Sequence, residues 1–198
     1  MWIDYQRPFF RLSPLQIIAL TAYGENRSGG VYGMQSVINV IQNRRLYPAD
    51  YGYRDLDIQA ASGSPYHAVC LKYEQFSVFN LGDPNRAILN RLSTPEAFMG
   101  ELPNNLSLRT AWNLVQQLQA GTLLEITGGS NHYFALGILP LWARTMVYRT
   151  TIAGQRFYAA PPFISEQPQK YKPEITAETP QATNEAFQVV IPSIISGL

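Results

Sequence analysis

"YGENRSGGVYGMQSVINVIQNR", residues 23–44, sets the frame of the whole chain. A glutamate, Glu25, stands where one apolar helical pattern stops, followed by a glycine-bearing turn and a second apolar stripe. In that stripe Met34, Val37, Ile38 and Ile41 fall at i, i+3, i+4 and i+7, the spacing of one helix face. Asn43, Arg44 and Arg45 occupy its last turn, where cations suit the helix dipole, and Pro48 ends it. Upstream, Ser13 has the position of an N-cap, Pro14 that of the first helical residue, and Gln16 completes a capping box. Leu15, Ile18 and Ala22 continue that helix until the pattern fades at Gly24. The stretch therefore predicts two helices with a carboxylate at the joint.

Working outward, residues 1–12 are an aromatic-rich lead-in and residues 49–66 have loop composition. "YHAVCLKYEQFSVFN" (66–80) reads as a short helix running into an extended piece. "STPEAFMGELPNN" (93–105) holds turn signals and one helical turn. Leu108, Ala111, Trp112, Val115 and Leu118 mark a third long helix, stopped at Gly121. The character then changes. "SNHYFALGIL" and "MVYRTTIAGQRFYAA" are rich in aromatic and β-branched residues, and Ala153-Gly154 is a plausible hairpin turn. From Pro161 the chain becomes Pro-, Gln-, Glu- and Thr-rich and closes on the apolar "QVVIPSIISGL". The expected class is α+β: a mainly helical folded part over 1–160 with a small antiparallel β element, then an extended tail over 161–198.

Composition narrows the function. The 198 residues are 46% hydrophobic with a net charge of +1, enough for a core and without the basic stripe of a nucleic-acid binder. Twelve tyrosines and three tryptophans suit carbohydrate or peptide recognition as well as core packing. Cys70 is the only cysteine, which excludes an intrachain disulfide, and it reads as buried and inert. Two histidines and one cysteine are too few for a metal cluster, and neither a metal nor a cofactor is expected. The N-terminus lacks the basic and apolar regions of a secretory signal, which predicts synthesis in the cytoplasm.

Glu25 has two readings. It is either a solvated charge paired with Arg27, or an acid held protonated by burial beside aromatic rings such as Tyr23 and Tyr32. In the second case the carboxyl can protonate a glycosidic oxygen. Glycoside hydrolysis usually adds a second carboxylate. Asp50, Asp55, Asp57, Glu74 and Asp83 lie in loop-like contexts, and none has a spacing that singles it out. A one-carboxylate route, acid first and then base, fits better.

Residues 23–44 resemble the leading motif of the SleB-type cell wall hydrolases, the spore-cortex-lytic and phage-associated peptidoglycan enzymes. Their pattern runs Tyr-Gly-Glu-Ala-Arg-Gly-Glu, then a glycine, then an apolar helix ending in Asn-Arg. Here Glu25 precedes Gly33 by eight residues and Asn43 and Arg44 by eighteen and nineteen. "EQFSVF" (74–79), "SNHYFALGILPLWA" (130–143) and "TIAGQRFY" (151–158) resemble later family elements in the same order. The likeness thus spreads over residues 13–158. Asn26 and Ser28 depart from Ala and Gly, Gly29 stands where a second Glu often sits, and "IAGQRFY" lacks a histidine.

The resemblance implies a lysozyme-like fold and cleavage of the β-1,4 bond between N-acetylmuramic acid and N-acetylglucosamine, by a lytic transglycosylase or muramidase. Glu25 would be the general acid and then the base. Gln75 and Ser77 would bond N-acetyl groups, while His132, Tyr133, Tyr158 and Tyr23 would touch substrate or Glu25. Asn43 and Arg44 read as fixing a loop from the helix end, and Phe76, Trp112 and Trp142 as core. The partner is then the peptidoglycan glycan strand. A substrate outside the membrane without an export signal suggests a phage protein, either an endolysin or a virion component. The alternative is a virion structural or assembly protein of the same fold that binds a virion or membrane-associated protein through residues 161–198.

Overall fold

Ser13 opens the first helix as its side chain predicts. Its Oγ accepts from the Gln16 backbone N–H at 3.2 Å, while Gln16 Oε1 accepts from the Ser13 N–H at 2.8 Å. The structure, a computed structural model, describes residues 6–46 and 64–160. Helix α1 (Pro14–Asn26) leads through a 3-10 turn (Arg27–Gly29) into α2 (Gly30–Arg45). Then come α3 (Pro65–Leu71), a 3-10 turn (Ser77–Phe79), α4 (Arg86–Arg91), α5 (Pro95–Glu101) and α6 (Leu106–Gln119). Strand β1 (His132–Ala135), a 3-10 turn (Leu141–Thr145), β2 (Val147–Ile152) and β3 (Gln155–Ala159) complete the described chain. The mixed class with helices first and a small antiparallel sheet after them is what the sequence predicts.

Helix α1 is the centre of the core. It packs against α2, α3 and α6, and every residue from Gln16 to Gly24 is buried. A helix surrounded on all sides has little need of a polar face, so the narrow stripe expected from Leu15, Ile18 and Ala22 understates it. Glu25 also does not follow the helix end: α1 runs on to Asn26, which puts the carboxylate in the last turn.

Helix α2 buries a polar row as well as its apolar one. Gln35, Asn39 and Asn43 lie at i, i+4 and i+8, hence on one face, and all three are buried. They grip the backbone of the segment before β1. Gln35 Nε2 and Asn39 Nδ2 donate to the Leu124 carbonyl, Asn39 Oδ1 accepts from the Ile126 N–H, and Asn43 Nδ2 donates to the Ser130 carbonyl at 2.8 Å. Buried amides must be paired, and here the loop backbone pairs them.

The sheet has the order β1-β3-β2, all antiparallel. Ala153 and Gly154, at φ 47° and 77°, form the expected two-residue turn of β2–β3, the left-handed pair that a type I′ hairpin requires. Alternation divides the side chains of β1. Tyr133 stacks near Phe157 at 5.5 Å and packs on the helical core. Phe134 joins Tyr158, Ala143, Trp142 and Met146 in a second cluster on the other face.

Four expectations need correction. Residues 74–79 are not extended: they form a turn with Glu74 at φ 62° and then a 3-10 turn, because the chain must bend back onto α1. Helix α4 was not foreseen, since its six residues show too few turns for a periodic signal. Residues 95–101 form a seven-residue helix capped by Thr94, whose Oγ1 accepts from Ala97, rather than a single turn. The aromatic lead-in holds a 3-10 turn at Arg7–Arg11. The loop expected over 49–66 gives way at its end to α3, which Ser64 caps and Pro65 begins; its residues 49–63 and the tail at 161–198 lie outside the described residues.

Candidate functional site

A glycine makes the site possible. A Cβ on Gly24 would sit 3.1 Å from Val78 Cβ and from Leu89 Cδ2, so any other residue would press the 77–79 turn and α4 back from α1 by a few tenths of an ångström. Glycine costs a helix interior about 1 kcal/mol relative to alanine, which the contact offsets. The approach delivers two donors to the next residue. The Val78 N–H donates to Glu25 Oε1 at 3.1 Å and Ser77 Oγ donates to the same oxygen at 3.3 Å. From the sheet, the Tyr133 hydroxyl donates to Oε2 at 2.8 Å.

These contacts remove the pairing expected in the first reading of Glu25. Arg27 is not its partner: it donates to Asn85 Oδ1 at 2.8 Å and lies over the Tyr23 ring. The Glu25 carboxyl is packed so closely by protein that burial raises its pKa above the ordinary 4.5. The three hydrogen bonds and the Arg44 charge pull it back, each by less than burial raises it. The residue as a whole is half-buried. Tyr133 is pushed well above 10 by burial and by the neighbouring carboxylate, so it remains a neutral donor.

Arg44 ties the two walls of the site together. Its Nε donates to the Asn131 carbonyl and its Nη1 to the Gln75 carbonyl, both at 2.8 Å, with the guanidinium over the Phe76 ring. Asn131 lies two residues before Tyr133 and Gln75 two before Ser77. One buried cation thus sets the heights of both donors to Glu25. The expectation that Asn43 and Arg44 fix a loop holds, but Arg44 fixes two.

The remaining candidates separate. Ser77 and Tyr133 reach Glu25. Gln75 acts on Arg44 through its backbone carbonyl. Tyr23 is buried and its hydroxyl accepts from Asn105 Nδ2, so it is held within the core; Tyr32 is 68% exposed and builds no wall. His132 and Tyr158 are cross-strand partners on the opposite face of the sheet from Tyr133. His132 packs on Trp142 at 5.0 Å, and burial, then the Arg44 charge, lower its pKa to about 4. Cys70 is fully buried and its thiol is raised to about 12, the inert state expected.

The departures at 26 and 29 are one packing event. A Cβ on Gly29 would lie 2.5 Å from Asn26 Oδ1 and 2.8 Å from Ala153 Cβ. The buried Asn26 fills that space and its Nδ2 donates to Gln155 Oε1 at 2.9 Å, joining the end of α1 to β3. A side chain at position 29 has no room here. The sequence reading missed this amide, and missed the Val78 N–H, because backbone donors leave no residue-type signal. Gly24 directly before an acid was the one available clue.

Among the described residues, no group of three or more His, Cys, Asp or Glu side chains could hold a metal ion. Comparison of the chain with protein-family models, with characterised proteins and with solved structures returned no match.

Proposed function

We propose that this chain cleaves peptidoglycan glycan strands at the bond between N-acetylmuramic acid and N-acetylglucosamine, as a lytic transglycosylase with a lysozyme-like fold. The observation that carries the reading is the state of Glu25: a carboxyl with a raised pKa on a half-buried residue, held by Tyr133, Val78 and Ser77. The resemblance of residues 13–158 to the SleB-type hydrolases supports the substrate class.

Such a carboxyl suits an acid that must become a base. Protonated, it donates to the glycosidic oxygen as the bond from that oxygen to the muramoyl C1 breaks. The carboxylate left behind is stabilised by the three donors already aimed at it, and faces an oxocarbenium-like C1. It then takes the proton of the muramoyl C6 hydroxyl as that oxygen bonds to C1. The 1,6-anhydro end forms, and Glu25 is protonated again. The leaving N-acetylglucosamine keeps the first proton. Neither step needs a second carboxylate.

The test is digestion of purified peptidoglycan by the wild type and by Glu25→Gln, with muropeptides read by mass spectrometry. The reading expects anhydro-muropeptides from the wild type and none from the variant. Reducing ends that vanish in the variant would make the protein a muramidase. A folded wild type that releases nothing would sink the enzyme reading in favour of a binding or structural role.

A further inference from the structure

The loop that leaves β1 has a composition that ordinary surface does not. Leu136, Ile138, Leu139 and Leu141 are 49%, 63%, 59% and 77% exposed, and Tyr148 on the adjoining strand is 52% exposed. Residues 135–143 contain no charged side chain. Clustered exposed leucines of this kind mark an interaction surface rather than scattered surface apolarity. The loop is also firmly based. Trp142 packs edge-on against both Phe134 and Tyr158 beneath it, and the Leu136 and Ile138 N–H groups donate to the Gly154 and Ala135 carbonyls.

Charge identifies what would cover it. Residues 126–160 carry three arginines, Arg144, Arg149 and Arg156, and no Asp, Glu or Lys. Arg144 and Arg156 are exposed, the first on the 3-10 turn that begins at Leu141 and the second on β3 beside Phe134. Apolar side chains projecting from a loop anchored by two backbone hydrogen bonds, a tryptophan at their base and arginines with no acid in the same stretch match the interface of an anionic bilayer. There leucines enter the acyl boundary, the indole sits at headgroup depth and the arginines meet phosphates. No helix of the described residues is long and apolar enough to cross a membrane, so any such contact made by this loop is peripheral. We infer that the Leu136–Leu141 loop, with Trp142, Arg144 and Arg156, is a foot that docks the protein on anionic lipid. This surface is separate from Glu25 and holds whether or not Glu25 cuts glycan.

The test is flotation of the full chain with vesicles of phosphatidylglycerol and phosphatidylcholine, against vesicles of phosphatidylcholine alone. The wild type is expected to float with the anionic vesicles, with binding weakened by salt. Leu139→Ser/Leu141→Ser should weaken partitioning about tenfold or more while leaving the thermal transition in place, since both side chains are exposed. Arg144→Glu/Arg156→Glu should abolish the preference for anionic lipid. Absence of wild-type flotation, or equal flotation by the leucine variant, overturns the inference. So does a wild-type dimer, seen by light scattering without lipid, that the leucine variant breaks, because a second copy would then be the occupant. Lipid binding that emerges only on deletion of residues 161–198 would assign the loop to the tail and overturn it equally.

Discussion

The Tyr133 hydroxyl meets Glu25 Oε2 at 2.8 Å across 108 residues of sequence, and this bond joins the helical part to the sheet at the carboxyl. A donor to a carboxylate favours the charged form, so its removal raises the pKa further. Tyr133→Phe is expected to move the basic limb of the pH–rate profile upward. On the proposed reaction it should also lower turnover roughly tenfold, because the carboxylate formed on proton donation loses one of its three donors. A profile that does not move would separate the hydroxyl from the chemistry.

Glu25 itself should work against stability near neutrality. Its folded pKa lies above its unfolded value, so it binds a proton more tightly in the folded state. The stability this contributes is complete below the unfolded pKa near 4.5 and is lost as pH rises through the folded one. Glu25→Gln removes that dependence. In urea titrations the variant should gain on the wild type as pH rises from 4.5 through the raised folded pKa.

His67 should behave in the opposite sense. It is buried, its Nε2 donates to the Leu12 carbonyl at 2.9 Å, and burial lowers its pKa from 6.5 to about 4. Its stability is present above pH 6.5 and is lost as pH falls toward 4, by about 2–3 kcal/mol. His67→Gln keeps a donor for Leu12 and should flatten that acid limb. An unchanged slope of stability between pH 6.5 and 4 would remove His67 from the account.

Arg44 offers a test of geometry against charge. Lysine keeps the charge but cannot present two donors in a fixed fork to the Asn131 and Gln75 carbonyls. Arg44→Lys is expected to cost about 2–3 kcal/mol of stability, with at least one buried carbonyl losing its partner. Activity should fall further than charge retention would suggest, because Ser77 and Tyr133 lose their common reference.

The helices were legible in the sequence wherever their grammar was local. The Ser13–Gln16 box, the Met34–Ile41 stripe and the Ala153-Gly154 turn each state their structure within a few residues. The site was only half legible. Glu25, Ser77 and Tyr133 could be named as candidates, but their convergence depends on partners 52 and 108 residues away. His132 and Tyr133 were grouped as neighbours, yet one step along a strand sends them to opposite faces. Position 29 looked like a lost acid, whereas packing makes it the complement of Asn26.

That complement can be measured. Gly29→Ala puts a methyl against Asn26 Oδ1 and Ala153 Cβ and should destabilise by about 1–3 kcal/mol. Asn26→Ala alone loses the bond to Gln155, at about 1 kcal/mol. In the double variant the two costs should add to less than their sum, since the vacated amide makes room for most of the methyl. Strict additivity would mean that the two positions do not share space.

The row of amides on α2 has a consequence for how this protein can change. Gln35, Asn39 and Asn43 hold the 124–130 segment by its peptide groups, leaving its side chains out of the bargain. Substitutions at the exposed Leu124 can therefore accumulate without moving Tyr133, whereas Glu125 accepts from the Thr127 and Gly129 N–H groups, and Thr127 and Ser130 are buried. Drift is permitted at the exposed position of the strap and forbidden in the helix that reads its backbone, so the helix carries the memory of where the acid's partner must stand.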